Sequence, residues 1–198
     1  MRLRFASVSL VLVLTATWSV RTATQGKQAP PAPPTKAGAK AAPSDADLIK
    51  SAMSAAPMAI SKDATIVVMN EKMEMRTVRP GTNGWTCMPD SPSPGPDPMC
   101  ADKNATEWLM AWLHHQPPPA DKMGFVYMLM GGSDASNEDP YATAPKAGAK
   151  WIDSGPHVMV LNAVTKFAGY PTTHENTKAP WVMWPNTPYA HLMLPVTK

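Results

Sequence analysis

Cysteine is scarce in this 198-residue chain: Cys87 and Cys100 are the only two. Their spacing is neither the C-x-x-C of thioredoxin-like redox sites nor the C-x-x-C-H of haem attachment. No G-x-S-x-G nucleophile elbow occurs, and no loop follows the EF-hand pattern. Basic residues do not cluster with interleaved aromatics, which argues against nucleic acid as a partner. Phenylalanine is reduced to three residues. Acidic residues are missing from the first 44 positions altogether: all fifteen follow Ser44, whereas six of the eighteen basic residues precede it.

That asymmetry divides the chain. Residues 1–23 have the form of a secretory signal peptide, with basic Met1-Arg-Leu-Arg4 followed by an uncharged apolar run from Phe5 to Val20. The run is shorter than the roughly 20 apolar residues of a membrane-spanning helix. No transmembrane segment is therefore expected once the signal is removed, and a periplasmic or secreted location follows. Residues 24–43 are rich in Pro, Ala and Lys and lack large apolar side chains. Such a segment cannot bury enough surface to order itself and reads as a disordered linker. In extended form it spans about 60 Å. Residues 44–198 form a single exported domain with twelve basic and fifteen acidic side chains, a net of −3.

What is abundant is proline and methionine, with 23 and 15 residues, alongside seven tryptophans. Five of the twelve residues between the cysteines are proline, so the stretch from Arg79 to Cys100 reads as a rigid loop. In an exported chain two cysteines most simply make one disulfide, Cys87–Cys100. A loop of this size is worth about 3 kcal/mol against the unfolded chain, less where proline already stiffens it.

Sequence pattern predicts a helix from Ser44, with Ser44 as N-cap and Pro57 as terminator, and a second over residues 102–116 with Trp108, Leu109, Trp112 and Leu113 on one face. Strands are expected at 64–69, 73–78, 125–130, 157–161, 181–184 and 190–194. The fold class that follows is α+β: a small antiparallel sheet of about five or six strands, two short helices and long Pro-rich loops.

Two of these strands carry His-x-Met: His157 with Met159, and His191 with Met193. Alternate strand residues share a face, so each presents imidazole and thioether together. These are ligands that copper accepts, Cu(I) in particular, with Met128, Met130 and Met183 as possible supplements. Methionine also fills cores and a strand histidine can be merely hydrogen-bonded, so packing is the competing explanation. A second candidate is the polar loop carrying Ser133, Asp134, Ser136, Asn137, Glu138 and Asp139, an oxygen-rich set suited to calcium or explained by Asx-turns. A hydrolase-type site would combine Ser133 or Ser136, Asp134 or Asp153, and His157 or His191, but no motif specifies a catalytic set. Finally, Trp85, Trp151, Trp181, Trp184 and Tyr189 lie in proline-rich loops or short strands, where exposure would mark a protein or carbohydrate partner.

The run Arg79-Pro-Gly-Thr-Asn-Gly-Trp-Thr-Cys-Met-Pro-Asp90, with Gly132-Ser-Asp-Ala-Ser136 and Gly155-Pro-His-Val-Met159, resembles segments of exported bacterial proteins. The resemblance implies bacterial export and assigns no activity or site residue. The expected function is a small binding protein with a soft metal as its sharpest ligand. The alternatives are an unrecognised enzyme and a tryptophan-rich interaction module.

Overall fold

The structure, a computed structural model, describes residues 42–70, 72–91, 93–163 and 167–197. The predicted signal peptide and all but the last two residues of the predicted linker lie outside the described residues. Contacts divide the chain after Lys40, and every element below belongs to the unit that starts at Ala41.

Helix α1 spans Asp45–Met53. Its start is fixed by a capping box: Ser44 Oγ accepts from the Asp47 amide while the Asp47 carboxylate accepts from the Ser44 amide, both at 3.2 Å. A short helix α2, Met58–Ser61, follows Pro57. Strands β1 (Thr65–Met69) and β2 (Met75–Arg79) form an antiparallel hairpin. Arg79 then ties this corner together, donating to the carbonyl oxygens of Ser61 and Ala64 at 2.8 and 2.9 Å.

After β2 the chain crosses the start of β1. Gly81 makes this crossing: a Cβ there would lie 2.1 Å from the Thr65 backbone nitrogen. The crossing brings β3 (Thr86–Met88) alongside β1 in parallel, and β4 (Met99–Ala101) returns antiparallel with Cys87 facing Cys100. The two cysteines are joined by a disulfide. Helix α3, Lys103–Leu113, is capped by Asp102, whose Oδ1 accepts from the Ala105 amide and whose Oδ2 accepts from the Phe125 amide. Then come β5 (Gly124–Met128), the two-residue strands β6 (Ser133–Asp134) and β7 (Ile152–Asp153), β8 (His157–Leu161), β9 (Trp181–Met183) and β10 (His191–Pro195).

The result is one eight-stranded mixed sheet in the order β2-β1-β3-β4-β5-β8-β10-β9, with β6 and β7 as a separate pair. This corrects the expected α+β fold with five or six antiparallel strands and two helices. Among the described residues sheet predominates, the helices are three and short, and one strand pair is parallel. Pattern misses the two-residue strands β6 and β7 and, in the large sheet, β3 and β4, which are three residues each within a proline-dense stretch. Alternation has no room to show in so few residues; long-range pairing, not local propensity, makes them strands.

Alternation assigns the two faces. Ile66, Cys87 and Cys100 pack with Ala52, Ala55 and Ala56 of the helical N-terminal region. Ala101, Val126, Met128, Met159, Leu161, Met183 and Met193 pack on the other face with Ala105 and Trp108 of α3 and with Trp181, Trp184 and Tyr189. Methionine is also conspicuous outside the core, with Met58, Met69, Met73, Met75, Met123 and Met130 exposed.

Two outcomes follow for stability. Gly81→Ala forces the crossing off β1 and is expected to cost about 3 kcal/mol in urea unfolding, because the clash is with backbone that cannot rotate away; an unchanged midpoint would contradict the crossing. The Cys87→Ala/Cys100→Ala pair is expected to lose about 2–3 kcal/mol in the same assay.

Candidate metal centre

His157 opens β8 and His191 opens β10, and both are 1% exposed. Strand register puts them on one face. Met193 is paired with Met159, so the face carries His157, Met159 and Leu161 from β8 and His191, Met193 and Pro195 from β10. The flanking strands extend it: Met128 of β5 is opposite His157, and Met183 of β9 is opposite His191. Six potential ligand groups, two imidazoles and four thioethers, therefore share one buried surface.

The imidazoles are held alike. His157 Nδ1 lies 2.7 Å from the Gly155 carbonyl oxygen, and His191 Nδ1 lies 2.9 Å from the Tyr189 carbonyl oxygen. A carbonyl can only accept, so each Nδ1 carries the proton and each Nε2 carries a lone pair. Both Nε2 atoms are buried and have no hydrogen-bond partner among the described residues. Buried polar atoms are rarely left so, and two in matching positions call for a physical explanation. A histidine that ligates a metal through one nitrogen while donating the other N–H to a backbone carbonyl has this arrangement.

Charge is arranged to match. Burial lowers the His157 pKa, against its hydrogen bond to Gly155. Burial drives His191 down to about 4, opposed by the Tyr189 hydrogen bond and reinforced by neighbouring His157. Both rings are thus neutral near pH 7, the form a metal requires. Among the described residues no three His, Cys, Asp or Glu side chains gather at one point. An ion on either histidine would therefore draw its remaining ligands from thioether sulfur.

Gly132 marks where His157 and Met128 meet. A Cβ there would stand 3.0 Å from Met128 Cε, 3.2 Å from His157 Cε1 and 3.8 Å from Met128 Sδ. Above it opens a cavity of about 470 Å³ whose lining includes Gly131, Gly132, Trp151, Asp153, Gly155 and Pro156. His191 is more enclosed. Its ring lies 5.0 Å from Trp184 and 5.7 Å from Trp108, centroid to centroid, near perpendicular to both.

The other candidates are dispersed or engaged. Ser133 Oγ is buried without a partner and faces Gly95, not a histidine. The Ser136 hydroxyl accepts from the Glu138 and Asp139 amides, and Asp139 Oδ1 accepts from the Tyr141 amide. Asn137 is structural: its Nδ2 donates to the Thr172 carbonyl, and its own carbonyl accepts from the Trp184 amide. Asp153 accepts from the Gly155 amide. Asp134 has its pKa raised to about 6 by burial and by the negative charge of Asp97. Asp97 keeps that charge because hydrogen bonds from Ser93 and Ser91 outweigh the opposing effect of its burial. No serine–histidine pair is assembled among the described hydrogen bonds, and among the described residues no three acidic, histidine or cysteine side chains gather at the loop. Of the candidate recognition aromatics, Trp181, Trp184 and Tyr189 are core, Trp85 is half-buried against Tyr127, and Trp151 is exposed. Met130, a suggested supplementary ligand, is exposed as well.

No family model matches the chain, and neither a curated protein nor a solved structure matches it. No described helix is long and apolar enough to cross a membrane.

The buried rings give the metal-free protein a defined acid response. An unfolded histidine titrates near 6.5 and folded His191 near 4, so the contribution is full above about pH 6.5 and is lost as pH falls toward 4. His191 alone accounts for a loss of about 3 kcal/mol across that window. Asp134 acts in the opposite sense, because a raised pKa adds stability as pH falls below about 6. Urea unfolding of Asp134→Asn between pH 7.5 and 4.5 should therefore show a steeper acid loss than the wild type; a flat profile would mean the imidazoles are not held neutral.

Proposed function

We propose that this protein is an exported binding protein for a soft metal ion, Cu(I) in the first instance, held by histidine nitrogen and methionine sulfur on one face of its sheet. The observation that carries the reading is the pair of buried Nε2 lone pairs, each fixed by an Nδ1–H bond to a backbone carbonyl, on a surface that also buries four thioethers. Thioether and imidazole select Cu(I) over hard cations. Neutral rings and apolar walls favour an ion of low charge, since a buried divalent ion without anionic ligands would carry the full cost of desolvation.

Export rests on separate observations: the basic and apolar leader, and a disulfide between two fully buried cysteines. The protein acts by binding, and its location is periplasmic or secreted.

The test uses the full chain, expressed with its own leader, recovered oxidised, and purified without chelators or a histidine tag. In competition with a chromogenic Cu(I) chelator under ascorbate, the wild type should withdraw Cu(I), and the His157→Ala/His191→Ala variant should not. A folded wild type that leaves the chelator loaded would reduce the histidines and methionines to core packing.

A further inference from the structure

We propose that the methionine-lined face holds two soft monovalent ions, in quasi-equivalent sites of one imidazole and two thioethers each: His157 with Met128 and Met159, and His191 with Met183 and Met193. The inference rests on the soft-metal reading above and goes beyond it in number, ligand set and symmetry.

Register separates the two histidines. His157 is opposite Pro195, four residues along β10 from His191. At about 3.3 Å per residue the two histidines start some 13 Å apart along the strands. Imidazole–metal bonds of about 2 Å need both nitrogens within about 4 Å of one another on a common ion. Each ring is tethered through Nδ1 to the carbonyl two residues before it, Gly155 or Tyr189, and because β8 and β10 are antiparallel both carbonyls lie outside the interval between the histidines.

The same register gives each histidine a matching set. On its own strand each has a methionine two residues on, Met159 or Met193, on the same face. On the adjoining outer strand each has a methionine directly opposite, Met128 on β5 or Met183 on β9. Directly opposed residues have Cβ atoms about 5 Å apart, within reach of flexible thioethers. Met159 and Met193 face each other, so a local two-fold axis runs between them and exchanges one set for the other. All six side chains are at most 8% exposed. The His157 and Met128 side chains both approach Gly132, which places this pair of one set side by side. One nitrogen and two sulfurs suffice for a three-coordinate d¹⁰ ion, and no carboxylate is needed to neutralise a single charge.

The surroundings differ. The first site lies beneath the cavity at Gly131 and Gly132; the second is enclosed by Trp108 and Trp184. A cation within about 6 Å of an indole face is attracted to it, so the second site has an aromatic contribution of its own.

The experiment is native mass spectrometry of the oxidised full chain titrated with Ag(I), a redox-inert ion of the same charge and softness. Two ions per chain are expected. Met128→Leu and Met183→Leu preserve volume and fold, which thermal melting checks. Each should weaken one binding step about tenfold or more and leave the other unchanged. Should either variant fail to fold, imidazole ¹⁵N spectra of the wild type decide: separate responses of His157 and His191 to successive equivalents support two sites. One ion per chain, weakened by both substitutions, or both rings responding together to the first equivalent, would overturn the two-site arrangement and leave the soft-metal reading standing. No Ag(I) bound at all would remove both.

Discussion

The sheet is held at its middle by a seam that hydrogen bonding alone secures weakly. β1 and β3 share two paired positions, β3 and β4 three, and β4 and β5 two. Within the sheet, the β5-β8-β10-β9 side is connected to the N-terminal hairpin through those few rungs, to which Leu129 adds one backbone bond to the Ala55 carbonyl. The Cys87–Cys100 bridge sits there, across directly opposed residues and fully buried against Ile66 and the alanines Ala52, Ala55 and Ala56. It replaces a run of cross-strand hydrogen bonds with one covalent link, and it lets the chain between the cysteines be a proline-rich excursion, not a hairpin of conventional length.

With the seam fixed, the longer strands β5, β8 and β10 can carry something other than the most stable core. Five-residue pairings between β5 and β8, and four between β8 and β10, leave register little freedom. That is what allows two histidines to be buried uncharged, each held at one nitrogen by a carbonyl two residues away. A residue-by-residue slip of β10 would turn His191 and Met193 to the opposite face and bring Leu192 and Leu194 in. The tryptophans of α3 and of the turn after β9 close this face, and the polar loop from Ser133 to Asp139 pins Trp184 there through the Ser136 and Asn137 carbonyls.

The parts legible in the sequence are those whose signal is local. His157-Val-Met-Val-Leu161 announces a strand because five β-compatible residues stand together, and the placing of His157 with Met159 follows from strand geometry alone. The N-cap at Ser44 and the helix bearing Trp108 are local for the same reason. What the sequence hides is everything set by partners distant in the chain. Met99-Cys-Ala101 is a strand only because Thr86-Cys-Met88 and Tyr127 meet it. Met128 and Met183 are distinguished from Met130 only by cross-strand register. Trp181, Trp184 and Tyr189 read equally well as a surface or a core until α3 is laid over them. The polar loop looks like a ligand cage in composition, yet Asn137 and Ser136 spend their hydrogen bonds on turns and on Thr172.

The division of methionine between surface and interior has a chemical consequence. Thioethers exposed at Met58, Met69, Met73, Met75, Met123 and Met130 meet a diffusing oxidant before those packed under α3. Sulfoxide formed at an exposed position adds a polar oxygen where water already solvates it, and is reversible by repair enzymes; the same oxygen at Met159 or Met193 would have to be accommodated inside a close-packed apolar layer. The outer sulfurs thus stand as a sacrificial rind, and damage to the chain by peroxide or hypohalous acid should accumulate first at these exposed positions, of which Met58 in α2 is the most open.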